Sequence, residues 1–452
     1  MPDEIVTLAR YRWAELDEPG RRAALARPEA AGRDSLAADV AAIVAEVRHD
    51  GDAALRRFAA RFDGVTLAGL RVPLSEFDAA EATLTDPQRA ALRTAIENVR
   101  AFHAAQLAPP ISVETMPGVV CRRITRPIQA VGLYVPAGSA PLPSTVIMLA
   151  VPAELAGCGR RILCTPPQKN GRADPAVLTA ARYCGIEEVY LVGGAQAVAA
   201  MAYGTESIPA VDKIYGPGNA WVTEAKLQVS RDPDGAALDL PAGPSEVLVI
   251  ADGRADPEFV AADLLSQAEH GPDSQVVLVT PAEALADAVE AAVAAQLTVL
   301  PRNDVARQAL SHARVVFARD LAEAFAVSNR YGPEHLILQL PDADSWLEHV
   351  ETAGSVFLGD WTPESLGDYC SGTNHVLPTY GYARAWSGLS LADFQLHISV
   401  QEATPDGFRR IGPVARTLAE LERLDAHALA VKLRLEALGQ PQDPLPQRDE
   451  GA

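Results

Sequence analysis

Apolar residues recur along this chain in two rhythms, and the change between them divides it. In the first hundred residues they follow helical spacing. Leu36, Val40, Ile43, Val44 and Val47 mark one face of a helix that Ser35 can cap and Gly51 ends. A second helix is predicted from Asp86, as N-cap with Pro87 at the first helical position, to about residue 106. Both read as packing elements without chemistry of their own. From about residue 120, short unbroken apolar runs take over, at 161–164, 189–192, 247–250, 276–279, 315–317 and 336–338, with helical stretches between many of them. Continuous apolar strands alternating with helices predict parallel sheets covered on both faces. After about residue 386 the strand signal fades: 404–438 reads as helical, and 441–452 is polar and proline-rich.

One pentapeptide occurs twice. Gly171-Arg172-Ala173-Asp174-Pro175 and Gly253-Arg254-Ala255-Asp256-Pro257 each follow a strand and open a helix. Duplication of an α/β unit explains the echo, and so does the local preference for Asp-Pro at a helix start. Strand order in the two segments separates these explanations.

Composition narrows the function classes. The chain has 452 residues, enough for two to four domains, and is 48% hydrophobic and 22% charged, which excludes a disordered chain. A net charge of −20 without any basic stripe argues against nucleic acid as a partner. No apolar run approaches the roughly 20 residues of a membrane-spanning helix. The start, Met1-Pro2-Asp3-Glu4, lacks the features of a signal peptide. Five cysteines without a Cys-x-x-Cys pair fit reduced thiols in a cytoplasmic protein.

Three local patterns could carry chemistry. No Gly-x-Gly-x-x-Gly fingerprint follows the first strand and no Walker loop occurs, but Gly193-Gly194-Ala195-Gln196 and Gly216-Pro217-Gly218-Asn219 both join a strand to a helix. Such turns let a ligand approach the backbone at a helix N-terminus, where anions are favoured; they also serve as ordinary connections. Gln267 and His270, three apart at the end of one helix, together with Asp368 in a loop and His427 on a later helix, make an oxygen and nitrogen donor set suited to zinc. Each also has a structural reading, His270 as a cation closing a helix beside Gly271 and His427 as a surface residue. Glu334-His335 opens a strand after Pro333, and a Glu beside a His can divide general-base work if the backbone bends there.

Read in order, the segments resemble histidinol dehydrogenase from about residue 30 to 436. The most specific are Pro136-Ala137-Gly138-Ser139-Ala140-Pro141-Leu142-Pro143-Ser144-Thr145, Asp212-Lys213-Ile214-Tyr215-Gly216-Pro217-Gly218-Asn219 and Pro241-Ala242-Gly243-Pro244-Ser245-Glu246. Leu265-Ser266-Gln267-Ala268-Glu269-His270-Gly271, Tyr331-Gly332-Pro333-Glu334-His335 and Ser371-Gly372-Thr373-Asn374-His375 complete the series. The resemblance implies an α/β fold of two incomplete Rossmann-like, parallel-sheet domains with smaller helical N- and C-terminal extensions. Its expected boundaries are 1–120 (helical, partly packed on the second lobe), 121–240 (first, NAD-binding domain), 241–385 (second domain, with zinc ligands and the Glu-His pair) and 386–452 (a helical arm exchanged in a homodimer).

The implied activity is four-electron oxidation of L-histidinol to L-histidine through bound L-histidinaldehyde, the last step of histidine biosynthesis. It reduces two NAD and needs one Zn2+ per subunit. Gln267, His270, Asp368 and His427 match the metal ligands, and His335 and Glu334 match the base and the water-activating residue. Ser245 and Glu422 match substrate contacts, while Tyr134, Gln196 and Asn219 match NAD contacts. The substrate-binding set implied is Ser245, Gln267, His270, His335, Asp368, Glu422 and His427, the last and Glu422 reaching the partner's site. Two departures stand out: Leu396 where the family usually has a basic residue, and Cys370 in place of Ala, which reads as packing. Two rival classes remain, a zinc and NAD dehydrogenase of another polar alcohol and a zinc hydrolase acting through Glu334; a non-enzymatic NAD-binding regulator is a third.

Overall fold

A computed structural model describes residues 8–28, 33–137, 141–241 and 243–439. Residues 138–140 and 242 of the motifs above, the start Met1-Pro2-Asp3-Glu4 and the tail 441–452 lie outside the described residues. In chain order the strands are β1 (Ala9–Arg12), β2 (Ile111–Met116), β3 (Val119–Pro127), β4 (Ala130–Tyr134), β5 (Arg160–Thr165), β6 (Glu188–Leu191) and β7 (Lys213–Tyr215). They continue with β8 (Ala237–Leu238), β9 (Glu246–Ala251), β10 (Gln275–Thr280), β11 (Arg314–Phe317), β12 (His335–Gln339), β13 (Ser355–Leu358) and β14 (Gln395–Ala403).

Contacts divide the chain into two units, Met1–Gln106 with Ile128–Phe394, and Leu107–Pro127 with Gln395–Ala452. The first holds two parallel sheets. One runs β6-β5-β4-β7-β8 and the other β1-β11-β10-β9-β12-β13. Numbered within each lobe, both read 3-2-1-4-5, the Rossmann order short of its sixth strand, with β1 added at one edge of the second. The fold is therefore α/β with two incomplete Rossmann-like lobes.

The shared strand order supports duplication of the α/β unit, yet the repeated pentapeptide is not its trace. In the first lobe it follows the second strand, and in the second lobe it follows the first. What the two copies share is capping: Asp174 and Asp256 each accept backbone N–H bonds at a helix start, with Pro at N1.

The apolar runs became strands because both sheet faces are covered. Val247, Val249 and Ile337 pack against the helix Pro257–Ala268, while Leu248, Ile250, Leu336 and Leu338 pack on the other face. Several expectations need correction. The first helix starts at Arg33, two residues before Ser35. The N-cap of Asp86–Ala104 is Thr85, in a capping box with Gln88, so Asp86 is the first helical residue. The N-terminal region is not wholly helical, since β1 pairs in parallel with β11; β1, Trp13 and Leu25 pack on the second lobe, while the helices 33–104 join the core of the first. The C-terminal region likewise contributes β14, which pairs antiparallel with β3 and thereby draws 107–127 into the second unit.

The N-terminal segment also delivers Arg27 to the second sheet. Its guanidinium binds both oxygens of Glu246 (2.6 and 2.8 Å) and lies 3.9 Å from the centre of the Tyr331 ring. Both charges are almost fully removed from water. Removing one partner strands the other, so Arg27→Ala should cost about 3–5 kcal/mol of unfolding free energy in denaturant titration. Arg10→Ala, which breaks the exposed pairs with Asp287 and Glu290, should cost about 1 kcal/mol or less. Equal losses would contradict this assignment.

Candidate active site

The first lobe presents a cleft of about 830 Å³ at the carboxyl ends of its strands. Tyr134 ends β4, Gly193 and Gln196 follow β6, and Asn219 follows β7, so the opening spans the point where strand order reverses between β4 and β7. All three residues matched to NAD contacts line it. The Tyr134 hydroxyl accepts from Gly194 N (3.1 Å), and burial pushes its pKa up to about 12. Asn219 caps the helix Ala220–Ser230 through Oδ1, which leaves its Nδ2 free of that duty. Gly216 sits at φ +126°, where a Cβ would lie 2.1 Å from Tyr134 O. Beneath it the buried Lys226 donates to Gly216 O (2.9 Å) and pairs with Asp239, which accepts from Gly216 N (2.8 Å). The turn carrying Asn219 is thus clamped from below.

The second lobe uses its opposite edge. A helix between parallel strands runs antiparallel to them, so the end of Pro257–Ala268 returns to the amino ends of β9 and β12 and leaves Gln267 and His270 there. Gln267 Nε2 and His270 Nδ1 are 3.2 Å apart, while the buried Gln267 Oε1 has no partner. Asp368 belongs to a short helix, Glu364–Tyr369, and not to a loop. Donor atoms of His270, Asp368 and Glu364 lie within 4.8 Å of one another. Glu364 is fully buried, neither oxygen is hydrogen-bonded, and Oε1 lies 3.9 Å from His335 Nδ1. Reading the sequence missed it, because an acid one residue after Pro363 looks like an ordinary helix start.

Glu334 and His335 are both buried at this edge. The strand begins at His335, so Glu334 is free of strand alternation, and their side chains approach to 3.7 Å. His335 Nδ1 lies 3.1 Å from Glu246 O, which can only accept; this fixes the proton on Nδ1 and leaves Nε2, 3.7 Å from Asp368 Oδ1, for chemistry. Burial would lower the His335 pKa, but Glu364, Glu334 and Asp368 outweigh it and hold the ring well above its ordinary value. Burial pushes Glu334 and Glu364 up to about 8. Asp368 is driven upward by burial too, yet contact with His335 keeps it below the ordinary range. Although His270 is an exposed residue, desolvation around its ring lowers its pKa, as it does for His375.

Ser245 directly precedes β9, and its carbonyl accepts from Gln275 N (3.2 Å). His375 joins the lobes: Nδ1 lies 2.8 Å from Asp368 O and Nε2 lies 3.3 Å from Thr145 Oγ1, on the helix Pro143–Ala156 of the first lobe. Cys370 packs partly buried against the first-lobe core. His427, on Asp425–Ala437, and Glu422, at the end of Pro405–Leu421, belong to the second unit and are exposed.

Residues 26–435 match the family model described as histidinol dehydrogenase. The chain is 58% identical over 423 residues to histidinol dehydrogenase of Xanthomonas euvesicatoria pv. vesicatoria (strain 85-10), covering 94% of this chain and 98% of that one. It is 56% identical over 426 residues to that of Pectobacterium atrosepticum, covering 94% and 96%. The crystal structure of histidinol dehydrogenase from Elizabethkingia anophelis matches with a TM-score of 0.92 at 45% identity, over 96% of this chain and 99% of that one.

An unpartnered amide oxygen beside His270, a buried carboxylate and a half-buried one suit a divalent cation. Zinc titration calorimetry should show Asp368→Asn weakening binding by about tenfold or more. Glu258→Gln, on the same helix as Gln267 but at its far end, should leave it unchanged. Equal affinity in both variants would remove the metal from this cluster.

Proposed function

The chain belongs to the histidinol dehydrogenase family, and from that premise we propose that it converts L-histidinol to L-histidine through bound L-histidinaldehyde, using two NAD and one zinc per subunit. Membership makes it an oxidoreductase that oxidises histidinol in histidine biosynthesis. The observation that carries the finer reading is the meeting of Glu334 and His335 with the Gln267, His270 and Asp368 donors at one sheet edge.

Gln267, His270 and Asp368 would hold the zinc together with His427, and the ion, when bound, supplies a template for the substrate's imidazole and amine. The cleft with Tyr134, Gln196 and Asn219 would hold NAD, which accepts a hydride in each oxidation. With its Nδ1 proton committed to Glu246 O, the neutral form of His335, which a cation held at Asp368 would favour by offsetting the carboxylate charge that raises the ring, takes the alcohol proton at Nε2 as the first hydride leaves. Glu334 Oε2 accepts from Glu246 N (2.8 Å), so Oε1 is available to draw a proton from the water that adds to the aldehyde. A carboxylate with a pKa pushed to about 8 is a stronger base than an exposed one. As the water adds, His335 returns its proton to the aldehyde oxygen, and the hydrate then gives up a hydroxyl proton to the neutral His335 as the second hydride leaves. Ser245 and Glu422 would contact the substrate.

We assign the working form as a homodimer in which Glu422 and His427 complete the partner's site. In support, the second unit exposes Val414, Leu418 and Leu421 along one helix and Leu429 and Leu433 along the next, with Leu396 and Ile398 on one sheet face. Leu396 therefore extends an apolar stripe where a basic residue would interrupt it. Five free thiols support a cytoplasmic location, and no helix among the described residues is long and apolar enough to cross a membrane.

Purified protein supplied with histidinol, NAD and zinc should form two NADH per histidine. A ratio of one with aldehyde released would rule out the full sequence of steps, and histidine or any other product without NADH would favour a hydrolase. Separately, His427→Ala and His335→Ala proteins, each inactive, should regain about a quarter of wild-type activity when mixed under subunit exchange, because random pairing leaves one intact site in half the dimers. No recovery would count against a shared site.

A further inference from the structure

The nucleotide cleft contains an acid that none of the steps above uses. Residues Ala59–Asp63 form a π-helical turn closed by Gly64 at φ +73°, and Asp63, at its end, lines the cleft. After it the chain passes Gly171 and lies along β6, where Leu191 N donates to Leu70 O and Val72 N donates to Val189 O, both at 2.8 Å. Asp63 therefore enters from the β5–β6 side. In a lobe of order 3-2-1-4-5 the strands on that side carry the adenosine half of a dinucleotide.

A Rossmann lobe usually places an acid after its second strand, to accept hydrogen bonds from the adenosine ribose. Here β5 is followed by Pro166-Pro167-Gln168-Lys169, without an acid, and Gln168 Nε2 is engaged by Asp174 Oδ2 (2.7 Å). Asp63 itself is held by no hydrogen bond or ion pair among the described residues, and burial alone pushes its pKa up to about 6. A carboxylate desolvated without a partner is costly unless a ligand provides donors. Lys169, the one cation among the residues lining the cleft, is exposed.

We propose that Asp63 accepts the hydroxyls of the adenosine ribose of NAD and repels the 2′-phosphate of NADP, so that it sets the choice of nucleotide. The inference rests on the reading that this cleft holds NAD. It adds a residue supplied by the N-terminal helices, in place of the one the strand would ordinarily carry.

The test is binding of NAD and NADP to the full-length protein by calorimetry, alongside steady-state rates with each, for wild type, Asp63→Asn and Asp63→Ser. Wild type should bind NAD much more tightly than NADP. Both variants should bind NAD about tenfold more weakly, the loss expected for a hydrogen bond to a charged group. NADP should bind as well or better, and kcat at saturating NAD should be unchanged. Removing an unpartnered, half-buried charge does not threaten folding, and the two variants guard against a local accident of either side chain. A parallel loss for both nucleotides, an unchanged ratio, or a wild type that accepts NADP equally would overturn the assignment while leaving the cleft as the NAD site. A wild type that binds neither nucleotide would overturn the underlying reading, and this assignment with it.

Discussion

Glu246 is the residue on which the arrangement turns. Its side chain is gripped by Arg27 through two bonds and by the Tyr331 hydroxyl, its N–H holds Glu334, and its carbonyl holds His335. A glutamate in the first position of a central strand, with every polar group engaged, has no freedom to shift. Its two backbone bonds set both the direction of the Glu334 carboxylate and the tautomer of His335. The buried charge is tolerable only because Arg27 arrives from a segment more than two hundred residues away. The N-terminal segment and the Glu334–His335 pair are therefore joined through the two ends of one residue.

That dependence explains what could be read from the chain and what could not. Strands buried on both faces announce themselves as unbroken apolar runs, and Gln267 with His270 is legible because helix periodicity alone puts them together. The strand Ala9–Arg12 was invisible: an edge strand with one neighbour can afford two arginines, and these in fact reach Glu290, Asp287 and Glu283. The three-stranded antiparallel sheet was hidden for a similar reason, since its residues are mostly exposed and carry charge on both faces. Glu364, Arg27 and Asp63 escaped because the surroundings of each are supplied by residues far away in sequence. Roles for Tyr134, Gln196 and Asn219 came from resemblance; the cleft now gives them a common wall.

The lobes share a strand order but not a working edge. The first opens its cleft where the strands end, and the second gathers its reactive groups where the strands begin. Duplication supplied two equivalent frames, and divergence used opposite ends of them. Between the ends runs a short relay, Asp368 O to His375 to Thr145, which ties the helix bearing Asp368 to a buried helix of the first lobe. Asn374 reinforces the tie by donating from Nδ2 to Met148 O (2.7 Å) on the same helix.

The opposed edges have an electrical meaning. In any parallel α/β layer the peptide dipoles of the covering helices point the same way, so one rim of the sheet is lined by positive helix starts and the other by negative helix ends. The helices Gly194–Tyr203 and Ala220–Ser230 begin at the first lobe's cleft, whereas Pro257–Ala268 finishes at the second lobe's cluster. Backbone polarity alone therefore offers the first rim to a polyanion and the second to a cation. An acidic protein need spend few charged side chains to keep two ligands of opposite sign apart, because the direction in which its helices run already sorts them.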